Sequence, residues 1–222
     1  MAIKISNTNT GISTVKAMVY GEAGLGKTRL CATAPSPIII SAEAGLLSLK
    51  DYNIDVINVN SKKDVMDAYQ FITSSADASK YHTICLDSVT EIAEVLLSEY
   101  KKEFKDPRQA YGTMHDDMTV LIRSFRDLPN FSVYFTAKQV TKEDAESGIT
   151  MNRPDAPGNN LKKDLPFFFD EVLALRVGQH EGQEYRYLQT QPHMQWVGKD
   201  RSGKLDAQEA PDLTNIFTKI LS

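Results

Sequence analysis

The chain has 222 residues, 41% of them hydrophobic and 24% charged, which suits a soluble globular protein of one domain with or without a small appendage. A formal net charge of −4 excludes a protein that coats nucleic acid by bulk charge, so any such contact must come from a local basic groove. Cys31 and Cys85, the only cysteines, sit in apolar surroundings without the spacing of a disulfide framework or a zinc site, which fits a reducing compartment.

The chain begins MAIKISNTNTGIS, a polar stretch without the apolar core of a signal peptide, and no later run is long enough to cross a bilayer. A cytoplasmic protein with no membrane partner is expected. The alternation in AIKIS (2–6) suits either an arm that adds a strand to a neighbouring subunit or a frayed end. Residues 1–14 are read as that arm and 15–222 as one domain.

VKAMVY (15–20) reads as a buried strand running into a glycine-rich stretch, and residues 27–34 as a short helix stopped by Pro35 and Pro37. PIIIS (37–41) and IDVINV (54–59) are further strands. SKKDVMDAYQFITSS (61–75) is an amphipathic helix with Val65, Ala68, Tyr69 and Ile72 on one face. HTICLD (82–87) is a strand, followed by a helix from Val89 to about Phe104 and another over 113–128 that aligns Met114, Met118, Leu121, Ile122 and Phe125. FSVYFTA (131–137) is the next strand. Continuous apolar strands separated by helices predict an α/β fold, a mostly parallel sheet covered on both faces.

After Ala137 the polar stretch 138–160 predicts a long loop with room for a short hairpin. FDEVLALRV (169–177), EYRYLQTQ (184–191) and MQWVGK (194–199) look like strands joined by tight turns such as that at Gly182, added antiparallel at the C-terminal edge of the sheet. PDLTNIFTKILS (211–222) is a last helix.

The glycine-rich stretch is GEAGLGKT (21–28), and Gly21, Gly26, Lys27 and Thr28 satisfy G-x-x-x-x-G-K-[ST] between a strand and a helix. Glycines let backbone N–H groups turn inward around an anion, and the helix N-terminus adds partial positive charge. The cradle comprises Gly21, Glu22, Ala23, Gly24, Leu25, Gly26, Lys27, Thr28 and Arg29. Lys27 would reach the β and γ phosphates of ATP, and Thr28 would join the shell of a Mg²⁺ ion. The ion also needs a carboxylate from a neighbouring strand end, which HTICLDS supplies in Asp87 with Ser88 beside it. Asp87 is either that ligand or a cap for the following helix.

Many AAA-type ATPases place the catalytic glutamate directly after this aspartate, whereas Ser88 and Val89 follow Asp87. The base must come from elsewhere, and Glu43 in IIISAEAG (38–45) stands just beyond the end of the next strand. The order GEAGLGKT, IIISAEAG, TICLDSVTEI, SVYFTAKQ resembles the RecA-like recombinase core over roughly 15–204. The short length, Tyr111-Gly112 and GKDRSGKL (198–205) are similar to the small phage-encoded RecA-like ATPases of single-strand annealing and recombination.

That resemblance implies a RecA-like P-loop ATPase in which Glu43 activates water and Gln139 relays the nucleotide state to a DNA-binding loop. The loop 140–160, with Lys142 and Arg153 and the nearby Lys138, Lys162 and Lys163, would contact single-stranded DNA. Glu143, Asp144, Glu146 and Asp155 dilute its charge, and it carries no aromatic residue for base stacking. Lys199 and Arg201 would reach the ATP of an adjacent subunit, so a ring or filament with ATP at subunit interfaces is implied, with a single-strand DNA-binding protein as a further partner. Each residue also has a plainer reading: Glu43 as a solvated loop carboxylate, Gln139 as an edge residue satisfied by backbone, Lys199 and Arg201 as a water-exposed basic turn. The alternative function is a small-molecule phosphotransferase with the long loop as lid. A GTP switch lacks its N-K-x-D motif.

Overall fold

The computed structural model describes residues 13–43, 46–143 and 148–222. The AIKIS arm lies outside them. Strand β1 (Lys16–Gly21) is inaccessible from Ala17 to Tyr20, and its alternating side chains enter two different cores: Met18 and Tyr20 one, Ala17 and Val19 the other. The same parity runs through β2 (Pro37–Ser41), β4 (Thr83–Asp87) and β5 (Ser132–Glu143), where Ile38, Ile84 and Phe135 face the first core and Ile39, Cys85 and Tyr134 the second. A strand buried on both faces reads as an unbroken apolar run, which is why these segments could be recognised.

Adding β3 (Asp55–Asn58) and β7 (Glu171–His180), the strands β3-β2-β4-β5-β1-β7 run parallel in that order. Antiparallel strands β8 (Gln183–Gln189) and β10 (Gln208–Glu209) continue past β7, and the two-residue β9 (Lys199–Asp200) pairs with the start of β7. The α/β architecture with antiparallel additions at one edge is therefore the one observed.

The first core is covered by α2 (Lys62–Ser74), α3 (Val89–Glu103), α4 (Pro107–Arg126) and α5 (Asn159–Phe168). The second lies beneath α1 (Lys27–Leu30) and α6 (Leu213–Leu221). Both cysteines are free and buried in this second core. Helix α4 starts six residues before the expected 113, because Asp106 caps it, accepting from the Arg108 amide at 2.9 Å, and Pro107 supplies a preset φ at the first turn.

Three expectations need correction. FDEVLALRV is not an antiparallel addition: β7 runs parallel to β1, with Ala17 opposite Glu171 and Tyr20 opposite Ala174. The cause is α5, which the sequence reading missed and which returns the chain across the sheet so that β7 starts at the same end as β1. The stretch 138–160 is mostly ordered structure: β5 runs on to Glu143 and pairs with β6 (Thr150–Pro154), and α5 begins at Asn159. Finally, MQWVGK contributes only isolated bridges at Trp196 and the first residue of β9. The Gly182 turn is as expected, a hairpin between β7 and β8 with positive φ at Glu181 and Gly182.

Candidate nucleotide site

The glycines of GEAGLGKT serve two separate ends. Gly24 and Gly26 have φ of 78° and 104°, which side chains resist, while a Cβ at either would meet nothing closer than 3.9 Å. Conformation dictates these two, and the space above them is open for a ligand. Gly21 has an ordinary φ, but a Cβ there would stand 2.9 Å from the Leu175 carbonyl oxygen of β7. Here close strand packing dictates the residue.

Helix α1 begins at Lys27 and gives way after one turn to a 3₁₀ turn, Cys31–Thr33, because Pro35 forces Ala34 into extended backbone. The buried Tyr134 donates its hydroxyl to the Lys27 carbonyl at 2.9 Å and fixes the helix start against β5. Lys27 turns back, its Nζ donating to the carbonyls of Gly21 and Glu22 at 2.9 Å each. Burial lowers its pKa, Glu43 and Asp87 oppose the fall, and Lys138 adds to it.

Asp87 ends β4 and is 1% exposed. Thr28 Oγ1 donates to its Oδ2 at 2.7 Å, and Thr136 Oγ1 of β5 donates to its Oδ1 at 2.5 Å. A hydroxyl and a carboxylate oxygen meeting beneath the phosphate loop are the donors a Mg²⁺ ion accepts. Among the described residues no group of three or more His, Cys, Asp and Glu could hold a metal by itself, so such an ion must take its remaining ligands from nucleotide and water. The helix-cap reading of Asp87 fails: Ser88 caps α3, accepting from the Glu91 amide at 3.3 Å.

Glu43 follows β2, which pairs with β4 so that Ser41 lies opposite Asp87. The Ser41 hydroxyl donates to the Glu43 carbonyl at 3.1 Å and accepts from its amide at 3.2 Å, fixing the backbone of this half-buried residue at the edge that carries Lys27. Gly21, Glu22, Ala23, Gly24, Leu25, Gly26, Lys27, Thr28, Asp87 and Glu43 thus converge. Arg29 lines a small cleft of about 160 Å³ beside the loop together with Leu25, Leu30, Leu175, Pro211 and Arg186. Arg186, on the exposed end of β8, is a residue the sequence did not reveal, because nothing local links it to Gly26.

Gln139 lies one residue past the ladder that ends with Gly21 opposite Lys138. Its Nε2 donates to Asn152 Oδ1 at 3.1 Å, and its Oε1 is buried without a hydrogen-bond partner among the described residues. Asn152 Oδ1 also accepts from Thr141 at 2.7 Å, and its Nδ2 donates to the Gln195 carbonyl at 3.3 Å. The β5–β6 hairpin is thereby tied to Trp196, which stacks on Tyr20 and has the Arg176 guanidinium 4.3 Å from its ring centroid. Tyr20 donates to the Val197 carbonyl at 2.6 Å. One aromatic ring missing from 138–160 is thus brought to its flank, that of Trp196, which bridges to Asn152.

The remaining expected contacts divide. Lys142 and Lys163 are exposed, Arg153 is half-buried in β6, and Lys162 pairs with Asp155 at 2.6 Å. Lys138 sits at the nucleotide edge, paired with Glu91. Lys199 donates to the Pro166 carbonyl at 2.9 Å and to that of Phe169, serving the end of α5. Arg201 is 58% exposed and pairs with Asp170 at 3.0 Å. Both belong to the start of β7: Lys199 lies opposite Val172, level with Met18, and Arg201 lies beside Asp170, so they stand three and five residues, roughly 10 and 16 Å, below Gly21 along the strand direction.

A strand-loop-helix phosphate cradle with a strand-end aspartate against its threonine defines a P-loop ATPase site. Residues 13–202 match the family model of the AAA domain, and the chain belongs to that family. Among solved structures, the crystal structure of a KaiC-like protein from the hyperthermophilic archaeon Pyrococcus horikoshii is 14% identical, covering 78% of this chain and 76% of that one with a TM-score of 0.43. No curated protein matches the chain. No helix among the described residues is long and apolar enough to cross a membrane.

Proposed function

We propose that this protein is a Mg²⁺-dependent ATPase, RecA-like in mechanism, that assembles into a homo-oligomer, binds single-stranded DNA and promotes annealing or homologous recombination, as the phage-encoded proteins it resembles would in a host cytoplasm. The observation that carries the catalytic half is the contact of Thr28 with Asp87 below the loop, with Glu43 above the same strand ends. In this reading Lys27 exchanges its two carbonyl partners for phosphate oxygens, Thr28 and Asp87 hold the metal, and Glu43 takes a proton from the attacking water. The metal would offset charge on the phosphates. Arg201, exposed and far from its own loop, is the group available to a neighbour's nucleotide.

The nucleic-acid half is supported by the two hairpins, β5–β6 and β7–β8, which project from the edge that carries the phosphate loop and flank an aromatic and cationic cluster of Tyr185, Tyr187, Arg176 and Trp196. Tyr187 is buried and Trp196 is already packed between Tyr20 and Arg176, so Tyr185, 42% exposed, is the ring of this cluster offered to a base. The test is ATP turnover and particle mass, each with and without single-stranded DNA. Stimulated hydrolysis and growth beyond the monomer are expected. Lys27→Ala should lower turnover by about 10²–10³, the scale for removing one preorganised donor, and Glu43→Gln should keep ATP binding while losing turnover. If Arg201 acts across subunits, mixing Arg201→Ala with Glu43→Ala subunits restores activity. A monomer whose turnover ignores DNA would refute the recombination role and leave the phosphotransferase alternative.

A further inference from the structure

Taking the nucleotide reading as its basis, we infer that Lys138 is a second phosphate-binding cation of the site, parked on Glu91 and transferred to the terminal phosphate of ATP. The sequence placed Lys138 with the DNA contacts because it opens the polar stretch after Ala137. The sheet places it elsewhere. β5 lies between β1 and β4, so the last residues of its parallel ladder fall between the phosphate loop and Asp87, and Lys138 stands directly opposite Gly21.

Its backbone is clamped. The Lys138 amide donates to Thr90 Oγ1 at 3.0 Å, its carbonyl accepts from the Asp155 amide at 2.7 Å, and Thr90 Oγ1 donates to the Asp155 carbonyl at 2.7 Å. Only the side chain is left to move. Its ammonium pairs with Glu91 in the first turn of α3, three residues beyond the Ser88 cap, and the two side chains are 51% and 29% exposed. Exposed pairs of this kind contribute little, about 0–1 kcal/mol, so a multiply charged phosphate competes readily for the cation.

Lys138 also shares its surroundings with the two central groups of the site. Lys27 Nζ donates to the carbonyl of Gly21, the residue that stands opposite Lys138. The proton affinity of Lys138 is raised, first by Glu91 and further by Glu43. Two ammonium groups are thus carried on one sheet edge, Lys27 on the loop after β1 and Lys138 on the facing β5, and Glu43 beyond β2 borders the same space above the loop. Lys27 approaches that space from the loop and Lys138 from the facing residue of β5, so the terminal phosphate is the group assigned to both. A cation there discriminates ATP from ADP. Because the next residue, Gln139, holds the β5–β6 hub, the same side chain is placed to report the nucleotide to the hairpin.

The test is equilibrium binding of ADP and of a non-hydrolysable ATP analogue to the full chain. Lys138→Ala is expected to weaken the analogue by about tenfold or more, the scale of one charge-assisted contact, with ADP affinity changed less than about twofold. Lys138→Arg should retain most of the preference. Glu91→Gln, which frees the lysine, should tighten the analogue and leave ADP unaltered. An unchanged ratio of the two affinities in Lys138→Ala overturns the assignment. If that variant also loses ADP through misfolding, Glu91→Gln decides: tighter analogue binding supports the assignment and unchanged binding overturns it. A wild-type chain that binds neither nucleotide, or a Lys27→Ala chain that binds both normally, sinks the underlying ATPase reading instead.

Discussion

Gly21 and Gly26 match the same motif and would fail differently. At Gly26, with φ of 104°, an added methyl has room but the backbone resists it, costing about 1–2 kcal/mol in a region L residues avoid. Gly26→Ala should relax the loop away from its anion-binding shape, so nucleotide affinity falls more than stability. At Gly21 the methyl would press on the Leu175 carbonyl at 2.9 Å and part β1 from β7. Gly21→Ala is therefore expected to lower unfolding free energy by about 1–3 kcal/mol, the range for overpacking. Denaturant melts and nucleotide titrations of the two variants separate these effects, and equal stability losses would contradict the distinction. The motif alone marked both glycines; only the position of β7 distinguishes their reasons.

Among the elements, those that satisfy themselves locally were legible. Ser61 accepts from the Asp64 amide at 3.2 Å and starts α2 as expected, and Asp212 caps α6 through the Asn215 amide at 2.9 Å. Helix α5 was missed although Leu161, Leu165 and Phe168 recur at helical spacing and are buried, because Pro166 within it signals a break. The β5–β6 hairpin was expected only as a short option inside a loop, since its hub, Asn152, draws partners from Gln139, Thr141 and Gln195 across the sequence. Asn152→Ala strips those groups of their partners in an 8% exposed position. A loss of about 1–3 kcal/mol is expected, with hydrogen exchange rising first at residues 139–143 and 150–154. Exchange confined to other segments would show that the hub does not hold the hairpin.

At the scale of the whole molecule, the turn in GKDRSGKL closes the chain against the start of β7. Asp200 organises it, accepting from Ser202 Oγ at 2.6 Å, the Gly203 amide at 3.0 Å and the Leu205 amide at 3.1 Å, and opposite it stands Glu171, 1% exposed. Burial raises the Glu171 carboxyl to about 8, and the Asp200 carboxylate adds to the rise. A carboxyl that holds its proton more tightly when folded than when unfolded lends stability that is complete below about 4.5 and is lost as pH rises through about 8. Glu171→Gln, neutral throughout, should flatten that decline. Relative to wild type its Tm should gain between pH 6 and 9 by at least about 2–4 °C, corresponding to about 1 kcal/mol in a chain of this size. Parallel Tm curves would refute the assignment.

By itself the sequence determined the parallel core and the phosphate loop, since a doubly buried strand must be apolar throughout and an anion cradle needs glycine, lysine and threonine at neighbouring positions. Asp87 and Glu43 stood at strand ends in the sequence as well, and tertiary structure alone decided which further residues join or leave the edge above that loop. Lys138 arrives there by strand pairing, Lys199 is drawn to α5, and β7 turns parallel because a helix returns the chain. Strand order is set by packing between segments far apart along the chain, and local spacing carries no record of it.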